Sequence, residues 1–409
     1  MVNEEFDVIV VGGGPAGSSC TAFLSRAGKK VLLLDRATFP RDKTCGDGIS
    51  GRSVKILQEL DLLKEIAKVE HLDMYGVTFS NPKGKVVPID APRDSKSPPP
   101  GFVCRREILD NVLFQNAKKL ATKTLEGFFV TDVIIENGKA VGVKGKVQGK
   151  EMEFRAKVIV GSDGAGGVVA KKVGITNQDE AHQCAGIRCY YEGVEGMIDQ
   201  IELHFIDGVL PGYFWIFPLP DKRANVGIGM LVSDMKKKKV NLQKLMFETI
   251  EKNPTFRDRF KNSKRLNEVK SWILPLASKT PSLKIYGNGY VLCGDAASLI
   301  DPFTGEGIGN ALTSGKYAAN AIIKAFEASD FSEKSLSHYQ KTLWERIGEE
   351  VQTNYKMQNL VNYPFMINLV VDKASRSKDI KAAISNALIN PDGKKNVVGP
   401  LFILKALFA

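Results

Sequence analysis

The chain has 409 residues, of which 43% are hydrophobic and 25% are charged, and its formal net charge is +11 at pH 7. This length is more than one ordinary domain needs, and the composition is that of a globular protein. No stretch reaches the ~18 apolar residues of a membrane span, and residues 1–30 lack the pattern of a signal peptide, which predicts a cytoplasmic protein. The positive charge suits an acidic ligand or an anionic membrane surface.

The sequence lacks the residue patterns that nucleic-acid sites and metal sites require. No zinc-finger spacing and no interleaved basic and aromatic stripe is present, so we expect no nucleic-acid partner. The six cysteines contain no C-x-x-C pair, which argues against a zinc site or an iron–sulfur cluster. We therefore expect no bound metal, and the scattered thiols fit a reducing compartment.

The first predicted element is a buried strand, residues 6–11, that breaks into a glycine-rich turn. Gly12 permits the sharp turn, Gly14 permits close approach to a pyrophosphate, and Gly17 lets the following helix pack against the strand. A second strand ends at Asp35, about 20 residues further on, where a carboxylate accepts ribose hydroxyls. This βαβ pattern predicts a dinucleotide site.

The next segment is loop-like up to residue 48, and glycines beside Cys45 suit a backbone that lies against a flat ligand. Apolar periodicity then predicts a helix over 53–68. Short strands and turns over 71–100 indicate an excursion into a second domain. An amphipathic helix follows, and Arg106 at its start could reach a phosphate or ribityl oxygen.

A three-stranded meander is predicted next, with strands at 128–135, 140–146 and 151–155. Residues 156–161 then form another buried strand that rejoins the parallel sheet and ends before Asp163.

From 182 to 231 the pattern is that of antiparallel strands. One strand places three aromatic side chains on one face, Tyr213, Trp215 and Phe217, and the period of two alone leaves core and ligand pocket equally open. A last buried strand at 289–294 leads into an acid and a glycine loop that opens a helix of small residues. Beyond 331 the chain is predicted to be helical. Its apolar end, 397–409, predicts a packed terminal helix, with a membrane contact as the alternative.

Three separated motifs occur in an order that resembles the para-hydroxybenzoate hydroxylase-like FAD superfamily. They are Gly12-x-Gly14-x-x-Gly17, Arg106-x-x-Leu109-Asp110 with Asp163-Gly164, and Gly294-Asp295 with Pro302-x-x-Gly305-x-Gly307. Three further segments resemble the geranylgeranyl reductase family: Cys45-Gly46-Asp47-Gly48, Tyr213-x-Trp215-x-Phe217-Pro218, and Asp301-Pro302-Phe303-Thr304-Gly305-Glu306-Gly307. The resemblance covers residues 5–320.

The resemblance implies an α/β fold with a Rossmann-type FAD-binding domain, a mainly antiparallel β substrate domain and a C-terminal helical region. We assign residues 1–70, 101–181 and 285–330 to the first, 71–100 and 182–284 to the second, and 331–409 to the third. Asp35 stands where the family more often has glutamate, which shortens the reach to the ribose and keeps its chemistry.

The resemblance also implies a non-covalent FAD and the reduction of isolated carbon–carbon double bonds in prenyl chains. The motifs and the resemblance together assign to FAD the residues Gly12, Gly14, Pro15, Ala16, Gly17, Asp35, Arg36, Cys45, Gly46, Gly48, Arg106, Val130, Asp163, Gly294, Asp295, Gly305, Gly307 and Ile308. Tyr213, Trp215, Phe217 and Pro218 would line the prenyl site, which favours the pocket over the core for this strand. Cys45 is the candidate proton donor, the alternative being a small residue packed on the flavin ring.

The expected partner is a prenyl lipid or prenyl diphosphate, with NAD(P)H or a ferredoxin-like electron-donor protein as the reductant. A peripheral contact at the inner face of the membrane is the second interpretation of the charge and the apolar end. Rival functions with the same FAD motifs are a flavin monooxygenase or halogenase and an electron-transfer flavoprotein:quinone oxidoreductase-like dehydrogenase. A prenyl-binding escort protein is the non-enzymatic alternative, although it would not need the second flavin motif at Asp295.

Overall fold

The computed structural model describes residues 5–93, 97–176 and 179–389. The predicted apolar end at 397–409 lies outside the described residues. Within them, no helix is at once long enough and apolar enough to cross a bilayer.

The described strands, in chain order, are β1 (Glu5–Val11), β2 (Val31–Leu34), β3 (Gly48–Ile49), β4 (Leu72–Met74), β5 (Gly76–Ser80), β6 (Val86–Asp90), β7 (Gly101–Val103), β8 (Lys123–Leu125), β9 (Phe129–Glu136), β10 (Lys139–Val147), β11 (Lys150–Gly161), β12 (Gln183–Glu192), β13 (Ile201–His204), β14 (Tyr213–Leu219), β15 (Arg223–Leu231), β16 (Lys264–Arg265), β17 (Lys270–Pro275), β18 (Tyr286–Gly287) and β19 (Tyr290–Leu292). The described α-helices are α1 (Pro15–Arg26), α2 (Gly51–Glu59), α3 (Leu63–Ile66), α4 (Arg106–Leu120), α5 (Val168–Lys172), α6 (Val232–Lys237), α7 (Leu242–Lys252), α8 (Arg257–Phe260), α9 (Ile308–Glu327), α10 (Glu333–Leu360), α11 (Pro364–Arg376) and α12 (Lys378–Ile389).

The first sheet is the predicted parallel sheet, with the order β18-β19-β11-β1-β2-β8. The apolar residues of its central strands are buried, α1 packs against β1 and β2, and α4 and α9 pack against α1. Strand β11 is one continuous element where the sequence predicts two. Its first half pairs antiparallel with β10 of the meander, and its second half pairs parallel with β1. The Rossmann-type architecture is confirmed.

The second sheet has the order β16-β12-β15-β14-β13-β5-β6, with β17 also pairing with β12. Its pairs are antiparallel except for β13 with β5. Strand β14 buries Phe214 and Ile216 completely in a core with α7, so the alternate residues of this strand face the other way. That other face points toward the first sheet and forms one wall of the site.

The helix predicted over 53–68 is two helices, α2 and α3. Asp61 has a φ of 60°, a left-handed conformation that ends an α-helix and which the periodicity of the apolar residues does not reveal. The described part of the C-terminal region, which ends at Ile389, is helical as predicted, and α10 packs along α9. Asn354 and Gln358 of α10 also donate hydrogen bonds to the glycine loop that precedes α9.

Candidate active site

A cavity of about 460 Å³ opens at the carboxyl ends of the parallel strands. Of the residues assigned to FAD from the sequence, those that line it are Gly12, Gly14, Pro15, Ala16, Asp35, Arg36, Cys45, Gly46, Arg106, Val130, Asp163, Gly294, Asp295, Gly305, Gly307 and Ile308. Gly17 lies behind the wall, where an added Cβ would come within 1.8 Å of the Gly12 carbonyl oxygen. Gly48 lines a neighbouring cavity instead. We call the first of these the cofactor cavity.

Two helices begin at the wall of the cofactor cavity without a capping side chain. The N-cap residue of α1 is Gly14 and that of α9 is Gly307, and neither end is closed by a side-chain hydrogen bond. Uncapped N-termini leave backbone N–H groups and the positive end of the helix dipole free for an anion. The cavity is therefore suited to a ligand that carries a pyrophosphate at one end and an electron-rich ring at the other.

Asp35 is held rigidly at the end of β2. One carboxylate oxygen accepts from the Gly13 N–H at 2.6 Å, and the other accepts from the Ala37 N–H at 2.7 Å. The carboxylate is only 7% exposed, so these bonds fix its orientation beside the glycine-rich turn.

A cluster of charged side chains, largely buried, also contributes to the wall of the cofactor cavity. Asp110 accepts two hydrogen bonds from Arg106 and one from Arg41, each at 2.7 Å. Burial acts to raise the pKa of Asp110, but the hydrogen bonds and charges of Arg106 and then Arg41 outweigh burial and hold it below its ordinary value. Cys45 lies close enough to the Arg106 guanidinium to interact with it electrostatically. Both guanidinium groups therefore line the cavity in fixed positions.

The two remaining acids assigned to FAD have local partners. Asp295 pairs with Lys43, whose Nζ lies 3.3 Å from a carboxylate oxygen. Asp163 accepts from the Val169 N–H at 3.1 Å, which orders the start of α5, while its other oxygen has no hydrogen-bond partner. Burial raises the pKa of Asp163. Asp163 therefore shapes the backbone of this wall as well as lining it.

A second cavity, of about 290 Å³, lies between the second sheet and the cofactor cavity. Tyr213, Trp215 and Phe217 line it, whereas Pro218 is buried and is not part of its wall. The remaining lining is largely apolar. Glu306, Arg52 and Asp301 lie at its polar end, where Glu306 bonds to Ser50. We call this largely apolar space the apolar cavity.

The two cavities share six lining residues: Cys45, Gly46, Leu274, Gly305, Gly307 and Ile308. Among these shared residues Cys45 is the one with a titratable side chain. A thiol at the boundary can face ligands on both sides at once. No group of three His, Cys, Asp or Glu side chains in the described part of the chain is arranged to hold a metal ion.

The sequence alone did not reveal several residues of these walls. Trp272 and Lys270 reach the cofactor cavity from β17, and Arg41 and Lys43 reach it from the loop after β2. Asn225 of β15 bridges the loop of Cys45 to Trp215. Arg41 and Lys43 lie within the loop singled out as ligand-facing, which was a usable signal, whereas β17 and Asn225 carry no motif.

Residues 5–197 match the FAD binding domain family, and residues 186–268 match the geranylgeranyl reductase catalytic domain. The digeranylgeranylglycerophospholipid reductase of Methanocella arvoryzae is 32% identical over 366 residues, which are 88% of this chain and 88% of that protein. The chain belongs to the geranylgeranyl reductase family. The family predicted from the motifs is thus confirmed, and the dinucleotide for which the cofactor cavity is suited is FAD.

Other similar proteins also cover most of this geranylgeranyl reductase family member. The menaquinone reductase of Mycobacterium tuberculosis is 33% identical, over 78% of this chain and 77% of its own. A solved structure of a geranylgeranyl bacteriochlorophyll reductase-like protein from Thermoplasma acidophilum has a TM-score of 0.82 at 26% identity. It covers 96% of this chain and 98% of its own, so the similarity extends through the C-terminal helices.

Proposed function

We propose that this family member is an FAD-dependent reductase that saturates carbon–carbon double bonds of geranylgeranyl chains in isoprenoid lipids or prenyl diphosphates. The observation that carries the proposal is the apolar cavity, which meets the cofactor cavity at Cys45. The relative from Methanocella arvoryzae is named a digeranylgeranylglycerophospholipid reductase, which supports a geranylgeranyl lipid as the substrate class. The residues assigned to FAD and substrate from the sequence, and the three-part domain division, are part of this proposal.

The chemistry needs two hydrogens delivered to opposite carbons. An isolated alkene has no carbonyl to polarise, so a hydride added to one carbon must be matched by a proton added to the other. Reduced FAD, when bound, supplies the hydride. Cys45 supplies the proton: its S–H bond breaks, a C–H bond forms, and water returns a proton to the thiolate afterwards.

The protein stabilises both charges that this step creates. The positive charge of Arg106, which interacts electrostatically with Cys45, stabilises the thiolate that remains after proton transfer. The aromatic faces of Tyr213, Trp215 and Phe217 stabilise positive charge developing on the prenyl carbon, and the apolar cavity excludes water from it. Tyr213 itself is a poor acid because burial raises its pKa, and its hydroxyl donates to the Thr304 carbonyl at 2.6 Å.

We propose NAD(P)H or a ferredoxin-like protein as the reductant, and a peripheral membrane contact through which the lipid enters. The net charge of +11 supports an anionic surface or an acidic carrier as the partner. Anaerobic reduction of the yellow protein by NADPH, by NADH and by a reduced ferredoxin, each alone, distinguishes the donors.

The decisive experiment is anaerobic. The purified protein is reduced with dithionite, geranylgeranyl diphosphate or a digeranylgeranylglyceryl phospholipid is added, and flavin reoxidation is followed with mass spectrometry of the lipid. We expect one double bond saturated for each flavin oxidised. Reoxidation only after oxygen is admitted, with an oxygen-bearing product, would establish a monooxygenase instead. Prenyl binding without flavin or turnover would establish an escort protein.

A pair of thiol variants tests the role of Cys45. Cys45→Ala should retain FAD and slow prenyl-dependent reoxidation by roughly a hundred- to ten-thousandfold, the range for loss of a general acid. Cys184→Ala is the matched control, because Cys184 also lines the apolar cavity but burial raises the pKa of its thiol to about 12. Equal effects in the two variants would refute the assignment of Cys45.

A further inference from the structure

Asn225 occupies a position that neither the flavin motifs nor the prenyl site accounts for. We propose that it is a positioning residue, which connects the Trp215 wall of the apolar cavity to the main chain of Cys45. The inference rests on the proposed function, because it concerns how the thiol is held at the boundary of the two cavities.

Every polar atom of the Asn225 amide has a partner. The Trp215 Nε1–H donates to Oδ1 at 3.0 Å, and Nδ2 donates at 2.7 Å both to the Cys45 carbonyl oxygen and to an Asp47 carboxylate oxygen. An indole N–H can only donate, and a carbonyl or carboxylate oxygen can only accept. The amide therefore has a single workable orientation, and the residue is fully buried.

The loop that Asn225 holds adopts a conformation that needs support. Asp47 is fully buried and has a φ of 68°, which is uncommon for a residue other than glycine. Its carboxylate accepts from Asn225, from the Tyr190 hydroxyl at 2.7 Å and from the Arg106 N–H at 3.2 Å. Beside it the loop packs on Phe217, since an added Cβ at Gly46 would lie 2.9 Å from that ring.

These contacts connect Trp215, in the wall of the apolar cavity, to Cys45, the proposed proton donor. A prenyl chain that presses on the Trp215 indole acts on Oδ1 of Asn225, and the same amide holds the Cys45 carbonyl. The position of the thiol relative to the cofactor cavity thus depends on what fills the apolar cavity. Loss of the amide donor should uncouple them.

Asn225→Asp is the sharpest test because it keeps the shape and removes the donor. An ionised acid would set an oxygen against the Cys45 carbonyl and against Asp47, whereas a protonated acid can donate again. The ionisable side chain that contacts this position is Asp47, and Tyr190, Arg188 and Arg106 act in turn on Asp47. Asp47 raises the pKa of the introduced acid above the usual value of about 4, while Arg188 and Arg106 limit the rise, so we expect the acid to be ionised at neutral pH and protonated as the pH falls.

We expect prenyl-dependent reoxidation in Asn225→Asp to fall about ten- to hundredfold at neutral pH, with FAD content unchanged. As the pH is lowered, the ratio of variant to wild-type rates should return toward one. A loss that is independent of pH, or no loss, would overturn the proposal. Asn81→Asp is the matched control, because Asn81 is also buried, its Nδ2 has no partner, and it lies outside both cavities.

A second readout does not depend on turnover. Alkylation of Cys45 by iodoacetamide, quantified by peptide mass spectrometry, should change about tenfold in Asn225→Asp at neutral pH and converge with wild type at low pH. If the wild type fails to reduce prenyl chains but this alkylation pattern holds, the proposed substrate is wrong and the role of Asn225 stands. If Asn225→Asp does not fold, Trp215→Phe removes the indole donor together with part of the ring, and unchanged alkylation in that variant would refute the role.

Discussion

Asp110 offers a quantitative test of how much its buried cluster with Arg106 and Arg41 stabilises the protein. It is fully buried and accepts three hydrogen bonds at 2.7 Å, two from Arg106, which is 5% exposed, and one from Arg41, which is 21% exposed. Asp110→Asn removes the charge and leaves a buried guanidinium uncompensated. Breaking a buried ion pair in this way costs about 3–5 kcal/mol, and Arg41 adds little because water reaches it.

Urea unfolding at a series of FAD concentrations, extrapolated to zero FAD, measures this loss, because bound FAD stabilises each protein by an amount that depends on its own dissociation constant. Asp61→Asn is the control, because it removes an Arg26–Asp61 pair whose acid is 85% exposed, and we expect no measurable change. A loss of unfolding free energy below about 1 kcal/mol in Asp110→Asn would refute this expectation, because a loss that small is typical of solvent-exposed ion pairs.

The pH dependence of the same measurement has a defined sign. The folded-state pKa of Asp110 is depressed, so its contribution is complete above the unfolded-state value of about 4 and is lost as the pH falls toward the folded value. The difference in unfolding free energy between wild type and Asp110→Asn should therefore be constant from neutral pH down to about 4 and should become smaller below it.

Two further predictions concern the walls of the site. Trp215→Ala should retain FAD but lose reduction of a C20 prenyl chain, measured by the anaerobic assay, and unchanged activity would return Trp215 to the core. Asn354→Leu should raise the FAD dissociation constant roughly five- to thirtyfold, or about 1–2 kcal/mol, in a flavin fluorescence titration. We expect this because Asn354 of α10 donates a hydrogen bond at 2.6 Å to Asp301 of the glycine loop. An unchanged FAD dissociation constant would show that α10 does not order that loop.

The parts of this molecule that could be predicted from the sequence are those whose physical cause is local. A strand, a glycine turn and a helix N-terminus follow one another within residues 5–26, so the FAD fingerprint is readable without tertiary contacts. The Asn225–Cys45 bridge spans 180 positions along the chain, and the Arg41–Asp110 pair spans 69. No periodicity encodes such pairs, because they exist only once the tertiary structure has formed.

The aromatic strand shows where a usable signal was present but incomplete. Both faces of β14 are apolar, since Phe214 and Ile216 alternate with the residues of the predicted stripe, so the period of two could not say which face was open. The neighbouring strand, β15, shows which face of β14 borders the cavity. Gly227 pairs opposite Trp215, and an added Cβ there would lie 2.2 Å from the indole.

On β15, glycines at 227 and 229 alternate with the fully buried Val226 and Ile228. One face of this strand is thus filled by branched side chains and forms core, while the other leaves room for an indole to lie flat across the backbone. Core faces of paired strands interdigitate side chains from both partners, and a glycine row opposite an aromatic row cannot do so. The combination of the two rows, and not the aromatic row alone, marks the wall of a cavity.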